Sequence, residues 1–141
     1  MKKILIINAN YYDEITKKLV ISSKKLLKKE KIRLSILTVP GVFEVPIAIR
    51  KNINKFDGFV VLGCVVKGKT PHFDFICKST FYNIQKLSIY YNKPIGNGII
   101  TALNIKQAKE RCGLFKSRKP NKGLEASKAV ISIFKNGTKK I

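Results

Sequence analysis

A chain of 141 residues, 45% hydrophobic with a net charge of +21, is long enough to bury the core of one domain. Its apolar runs are too short to cross a bilayer. Met1-Lys2-Lys3 leads only into Ile4-Leu5-Ile6-Ile7, too brief for the apolar core of a signal peptide, so a cytoplasmic protein is expected. Cys64, Cys77 and Cys112 are odd in number, widely spaced and outside any metal-binding pattern, which points to reduced thiols and no metal site.

The predicted elements alternate between strand and helix. Lys3–Ala9 reads as a strand. Asp13–Glu30 reads as a helix, with Ile15, Leu19 and Leu26 on one face and lysines on the other. Ile32–Thr38 is a second strand, closed by the turn Pro40-Gly41. A helix is expected from about Phe43 to Asn54, with Pro46 tolerated in its first turn. Asp57-Gly58 turns the chain into a third strand, Phe59–Val66. Thr70 as N-cap and Pro71 as first helical residue open a helix that runs to about Tyr91. A fourth strand begins at Pro94-Ile95 and ends near Thr101, and helices at about Asn104–Cys112 and Asn121–Lys135 complete the chain. Repeated β-α units imply a single-domain three-layer α/β sandwich over residues 1–141. Its four-stranded, mainly parallel sheet has helices on both faces, a flavodoxin-like arrangement.

Residues Gly63-Cys64-Val65-Val66-Lys67-Gly68-Lys69-Thr70 satisfy the phosphate-loop pattern G-x-x-x-x-G-K-[ST]. A phosphate loop needs flexible residues between its glycines so that successive N–H groups curl around an anion. Cys64, Val65 and Val66 instead extend the apolar run Phe59-Val60-Val61-Leu62 and favour a pleated strand. A nucleotide-binding phosphotransferase would also need a carboxylate ending another strand to hold magnesium, and none is evident. The helix N-terminus beside Gly68, Lys69 and Thr70 remains an anion site, and the only histidine, His72, lies in its first turn. Histidine titrates near neutral pH and suits proton transfer.

The high positive charge raises a second alternative, a basic nucleic-acid-binding domain. Only Arg33, Arg50, Arg111 and Arg118 are arginines, whereas base readout favours the guanidinium fork. The aromatics do not interleave with the basic residues as a stacking platform requires, so no specific nucleic-acid partner is expected. In parallel sheets ligands collect at the carboxyl ends of the strands. That rule selects Asn10, Tyr11 and Tyr12; Pro40 to Glu44; Lys67 to His72; and, later, Arg111 and Asn121-Lys122-Gly123. Together they fit a polar, planar substrate accompanied by a phosphate.

Three stretches, Pro40-Gly41-Val42-Phe43-Glu44-Val45-Pro46, Gly63 to Asp74 and Asn121-Lys122-Gly123, resemble the 6,7-dimethyl-8-ribityllumazine synthase family. The resemblance is collinear over nearly the whole chain. It implies condensation of 5-amino-6-ribitylamino-uracil with 3,4-dihydroxy-2-butanone 4-phosphate to the lumazine, phosphate and water, without metal or organic cofactor. It also implies roles by position. Tyr11 would stack on the pyrimidine. Val42, Phe43 and Glu44 would hold that substrate, Glu44 through ribityl hydroxyls, and the backbone of Cys64, Val65 and Val66 would line the same pocket. Lys69 and Thr70 would cradle the phosphate and His72 would transfer protons. Asn97, Arg111 and Lys122 would come from a neighbouring subunit, with Arg111 on the phosphate and Glu125 expected to pair with it.

The family assembles as pentamers, some packed into hollow shells, with active sites between adjacent subunits. The chain begins almost at its first strand, and Leu114 to Pro120 looks longer than in shell-forming members. A pentamer or decamer is therefore expected, with riboflavin synthase, the next enzyme of the pathway, as a candidate partner. Three positions depart from the family pattern: Asn10 replaces a common arginine, Tyr11 a phenylalanine and Asn97 a frequent aromatic. A related binding or shell protein that has lost catalysis is the third alternative, against which His72 and Arg111 speak.

Overall fold

The computed structural model describes residues 1–114, 120–137 and 139–141. Four strands, β1 (Lys2–Ala9), β2 (Ile32–Val39), β3 (Gly58–Val66) and β4 (Ile95–Ala102), form one sheet in the order β2-β1-β3-β4. Every pairing is parallel. The helices are α1 (Asp13–Leu27), α2 (Val45–Asn52), α3 (His72–Tyr91), α4 (Ile105–Cys112) and α5 (Lys122–Lys135).

The two central strands explain the layering. In β1, Ile4 to Ala9 are buried without interruption, and so are Gly58 to Cys64 in β3, as strands covered on both faces require. Alternate residues serve opposite layers. Ile4, Ile6, Val60, Leu62 and Cys64 pack with Ile15, Leu19 and Leu27 of α1 and with Ala126 and Val130 of α5. Leu5, Ile7, Phe59 and Val61 pack with Val45, Ala48 and Ile49 of α2 and Ile84 of α3. Each fully buried side chain of this size contributes about 1.5–3 kcal/mol.

Local chemistry sets the boundaries. The single predicted helix Phe43–Asn54 is in fact a 3₁₀ turn, Val42–Glu44, followed by α2. Pro46 lies in the first turn of α2, where its missing N–H costs nothing. The end of α2 is held from a distance, since the Lys93 ammonium donates to the carbonyls of Ile53 and Phe56. Thr70 does not cap α3: Pro71 occupies the N-cap position and no side chain caps this end. Asn104 does cap α4, accepting from the Gln107 N–H at 2.9 Å. Asn121 does more. Its Oδ1 accepts from the N–H groups of Gly123 (2.9 Å) and Leu124 (3.1 Å), while its Nδ2 donates to Ser22 Oγ (3.0 Å) and the Cys112 carbonyl (3.3 Å). One side chain thus ties α1, α4 and α5 together. The stretch Leu114 to Pro120, expected to be long, lies largely outside the described residues. Among the described residues no helix is long and apolar enough to cross a membrane.

Close packing of α5 on β4 depends on missing side chains. A Cβ at Gly96 would overlap the Ala126 carbonyl, and one at Gly98 would meet Leu62 Cδ2 at 2.6 Å and the Val61 carbonyl oxygen at 2.8 Å. Gly96→Ala should therefore lower stability by about 3 kcal/mol, the cost of forcing an atom into a filled core. Urea unfolding checks this against Gly68→Ala, where a Cβ meets nothing within 4 Å and a change below about 0.5 kcal/mol is expected.

Candidate active site

Strand order reverses at β1: the chain moves from β1 outward to β2, then returns to the other side of β1 for β3. The loops leaving β1 and β3 therefore diverge at their carboxyl ends and leave a crevice between them. A cavity of about 540 Å³ lies there, lined by Tyr11, Tyr12, Gly41, Val42, Phe43, Cys64, Val65, Val66, His72 and Ile76. Seven of the residues selected from the sequence, Tyr11, Val42, Phe43, Cys64, Val65, Val66 and His72, meet in this one space.

Gly63 makes that convergence possible. A Cβ there would stand 2.7 Å from Val42 Cγ1 and 3.3 Å from Ala9 Cβ. With no side chain at Gly63, Val42 is buried against β3, and the 3₁₀ turn holds Phe43 at the cavity mouth with 67% of its surface exposed. Tyr11 is also exposed, its ring edge-on to Tyr12 at 5.1 Å between centroids. Two aromatic faces thus stand free at the rim, and the cavity behind them is floored by strand backbone. Beside the rim, the Glu44 carboxylate stands close over Gly41: a Cβ there would meet Oε2 at 3.3 Å.

The phosphate-loop pattern is resolved by pairing. Cys64, Val65 and Val66 are in strand register with Ile100, Thr101 and Ala102, and the Lys67 N–H donates to the Ala102 carbonyl at 2.8 Å. Held in an extended strand, successive amides point to opposite sides and cannot curl together around an anion. Only after Lys67 does the chain turn, so that exposed Gly68, Lys69 and Thr70 precede α3 and its exposed His72.

The remaining predicted residues lie elsewhere in the chain. Asn97 sits within β4 opposite Val61, and its Oδ1 accepts from the Ile99 N–H at 3.1 Å. It lines a separate cavity of about 260 Å³ with Phe81, Ile84, Gln85, Ser88 and Ile95. Arg111, half-buried on α4, has an Nε shielded from solvent and, among the described residues, without a hydrogen-bond partner. Glu125 does not pair with it. Its carboxylate lies 3.3 Å from Lys122, three residues back on the same helix turn, which is the nearer cation. Tyr12 and Gly41, selected by the strand-end rule but given no individual role, also line the cavity, and Ile76 lines it without having been selected. Tyr12 neighbours Tyr11, and Ile76 lies one helical turn beyond His72, a spacing that identifies it once His72 is chosen.

A 6,7-dimethyl-8-ribityllumazine synthase family model matches residues 1–136. The chain belongs to that family. Curated relatives of the same name include one from Campylobacter curvus, 38% identical over 143 residues, covering 96% of this chain and 90% of the relative. One from Campylobacter jejuni subsp. doylei is 40% identical over 144 residues, covering 99% and 91%. One from Aliarcobacter butzleri is 36% identical over 137 residues, covering 94% and 86%.

Burial sets the protonation state of the cavity's cysteine. Burial, with Cys112 nearby, pushes the Cys64 thiol up from an ordinary value near 9 to about 12. Burial also raises Tyr12, with Cys64 and Tyr11 adding to it. Cys64 is therefore a neutral thiol under ordinary conditions and offers shape and backbone rather than a nucleophile. The folded protein holds the Cys64 proton more tightly than the unfolded chain does. The stability this confers is complete below the ordinary thiol pKa and is lost as pH climbs from there towards about 12. Thermal midpoints of the wild type should fall more steeply between about pH 9 and 11 than those of Cys64→Ala, the difference isolating this thiol from the titrating lysines.

Proposed function

We propose that the chain condenses 5-amino-6-ribitylamino-uracil with 3,4-dihydroxy-2-butanone 4-phosphate to give 6,7-dimethyl-8-ribityllumazine, phosphate and water, as a transferase of riboflavin biosynthesis. One observation carries this reading. In a chain of this family, a strand-end cavity gathers two free aromatic faces, a strand-backbone floor and the only histidine.

The chemistry follows from what each group can do. The pyrimidine stacks against Tyr11 and Phe43, with the backbone of Cys64, Val65 and Val66 along its edge and Glu44 on the ribityl hydroxyls. Lys69, Thr70 and the first N–H groups of α3 receive the phosphate, aided by the partial positive charge of the helix end. The uracil 5-amino group attacks the ketone, and water leaves to form the imine. A proton is then lost and phosphate departs. The ribityl nitrogen closes the second ring with loss of a further water. His72 stands within the cavity that holds these steps and moves their protons, worth roughly 10²–10⁴-fold. Holding two substrates together supplies much of the remaining acceleration.

One chain leaves this site incomplete. Arg111, Asn97 and Lys122 are all outside its cavity lining, and among the described residues the buried Nε of Arg111 has no partner. We assign them to the site of an adjacent subunit, with Arg111 on the phosphate as a bidentate clamp. The outer surfaces of α2 and α3 expose Ile47, Tyr82, Ile89 and Tyr90 as adjoining apolar groups, the kind of patch that marks an interaction surface. A pentamer or a pair of pentamers is the assembly this supports. Sedimentation should give about five or ten times the 15.9 kDa chain mass, and a megadalton particle would contradict it.

Purified protein mixed with both substrates should form lumazine, followed by absorbance and fluorescence, above the slow uncatalysed condensation. His72→Ala should lower kcat by roughly 10²-fold or more with the assembly intact. A rate no better than background from the folded wild-type oligomer would move the function to binding alone.

A further inference from the structure

The basic residues are not scattered evenly over the surface. Lys17, Lys18, Lys24, Lys25, Lys28 and Lys29 are all exposed, and no acidic residue occurs between Ile15 and Lys29. At 3.6 residues per turn they fall within an arc of about 140° on α1 and its αR cap, Lys28. The opposite arc holds the buried residues Ile15, Thr16, Leu19, Ser23 and Leu27. The stripe continues past the helix into exposed Lys31 and Arg33, and on to Lys3, which is the register partner of Arg33 in the neighbouring strand.

Such crowding is unfavourable in the free protein. Lys24 and Lys28, and Lys25 and Lys29, are like charges four residues apart, and Lys3 opposes Arg33 across the sheet. Compensating the C-terminal dipole of α1 needs only the last-turn pair Lys24 and Lys25. Among the described residues, Lys17 alone in this stripe has an ion-pair partner, Asp13 at 3.9 Å. Glu14, one turn before Lys18, makes no ion pair among the described residues, Asp57 accepts from the Lys3 backbone N–H at 2.7 Å, and Glu30 is taken by Lys135 at 2.8 Å.

We propose that this stripe is a docking surface for the phosphodiester backbone of a nucleic acid, held by charge and without reading of bases. The spacing fits. Five lysines over about 17 Å of α1 and its cap average one charge per about 3.3 Å of helix axis, similar to the roughly 3.4 Å of duplex axis per charge of one strand. Lysine, a mobile point charge, suits phosphates in any sequence, whereas the arginine fork that reads guanine is absent from this face of α1. A membrane is the poorer match. The apolar arc of α1 is buried in the core, and Ile21 is the one large exposed apolar residue in the stripe, so nothing remains to insert between lipids. An acidic protein is poorer too, because protein interfaces are depleted in lysine and built on aromatic anchors that this stripe lacks. The stripe runs from the Asp13 end of α1, just past the cavity residues Tyr11 and Tyr12, towards the opposite edge of the sheet, so a bound backbone leaves the cavity mouth free.

The test is fluorescence anisotropy of the purified assembly with a labelled duplex of about 30 base pairs and a second duplex of scrambled sequence. Binding should be equal for the two within threefold and should weaken about 10³-fold between 50 and 200 mM salt. The variant K24Q/K25Q/K28Q/K29Q should bind at least tenfold more weakly at 50 mM and lose about 3 to 4 from the salt slope. A control with the same charge loss elsewhere, K55Q/K106Q/K128Q/K139Q, should change Kd less than threefold, both variants keeping the wild-type assembly and circular dichroism. Equal loss in the two variants would reduce the effect to net charge and overturn the proposal. So would binding confined to vesicles of phosphatidylcholine with phosphatidylserine, or a preference above tenfold for one duplex sequence.

Discussion

The whole site rests on β1 and β3 lying side by side with both faces buried. Because the sheet is parallel and its order reverses at β1, the turn after β1 and the loop after β3 emerge at the same edge and part. Their separation is the cavity, and everything that lines it is fastened to one of these two strands or packed onto them. Val42 reaches the cavity because Gly63 leaves room for it, and Gly63 is flanked in β3 by Leu62 and Cys64, both core residues. The most rigid part of the molecule and the candidate site therefore share atoms. A change of a single methyl at Gly63 would act on the loop carrying Phe43 and Glu44 without touching either.

How much of this was legible in the sequence depends on whether a feature is local. β1 and β3 were readable because strands covered on both faces are unbroken apolar runs. The same runs ruled against a phosphate loop at Gly63 to Thr70, since Cys64, Val65 and Val66 had to be strand before they could be loop. The C-terminal-edge rule then gathered Tyr11, Val42, Phe43 and His72 from three separate stretches. Boundaries that depend on cap geometry were less legible. Thr70 carries the right hydroxyl, yet Pro71 takes the N-cap position of α3 and no side chain caps that end. The turn Val42–Glu44 carries no sequence mark separating a 3₁₀ turn from the first turn of a helix.

Contacts between distant segments were the least legible. Glu125 was expected beside Arg111 because both belong to motifs of one family, but a cation three residues away on the same helix is always within reach. Asn97 was expected to serve the site of a neighbouring subunit, and its place in β4 sets it in a different cavity of its own chain. Asn121 read as part of a substrate motif, and its four hydrogen bonds make it a structural joint as well. A joint of this kind holds α4 and α5, and therefore Arg111 and Lys122, in fixed relation to α1. The proposed role of Arg111 and Lys122 in a neighbouring chain's site would require such a joint, because their geometry must be set before the neighbour arrives.

The distribution of charge divides the molecule along the same axis. At the carboxyl edge of the sheet, apolar and aromatic groups dominate, and the cations Lys67 and Lys69 stand at the helix end where an anionic substrate is expected. Along α1 lysines accumulate with no acid between Ile15 and Lys29. Solubility alone would be served by interspersed signs at no electrostatic cost. Instead α1 retains repulsive pairs at four-residue spacing although its own apolar face, buried against the sheet and α5, already secures the helix. The stripe is thus separable from folding. Residues that the core does not need and that repel one another are most simply accounted for by a polyanion that neutralises them together.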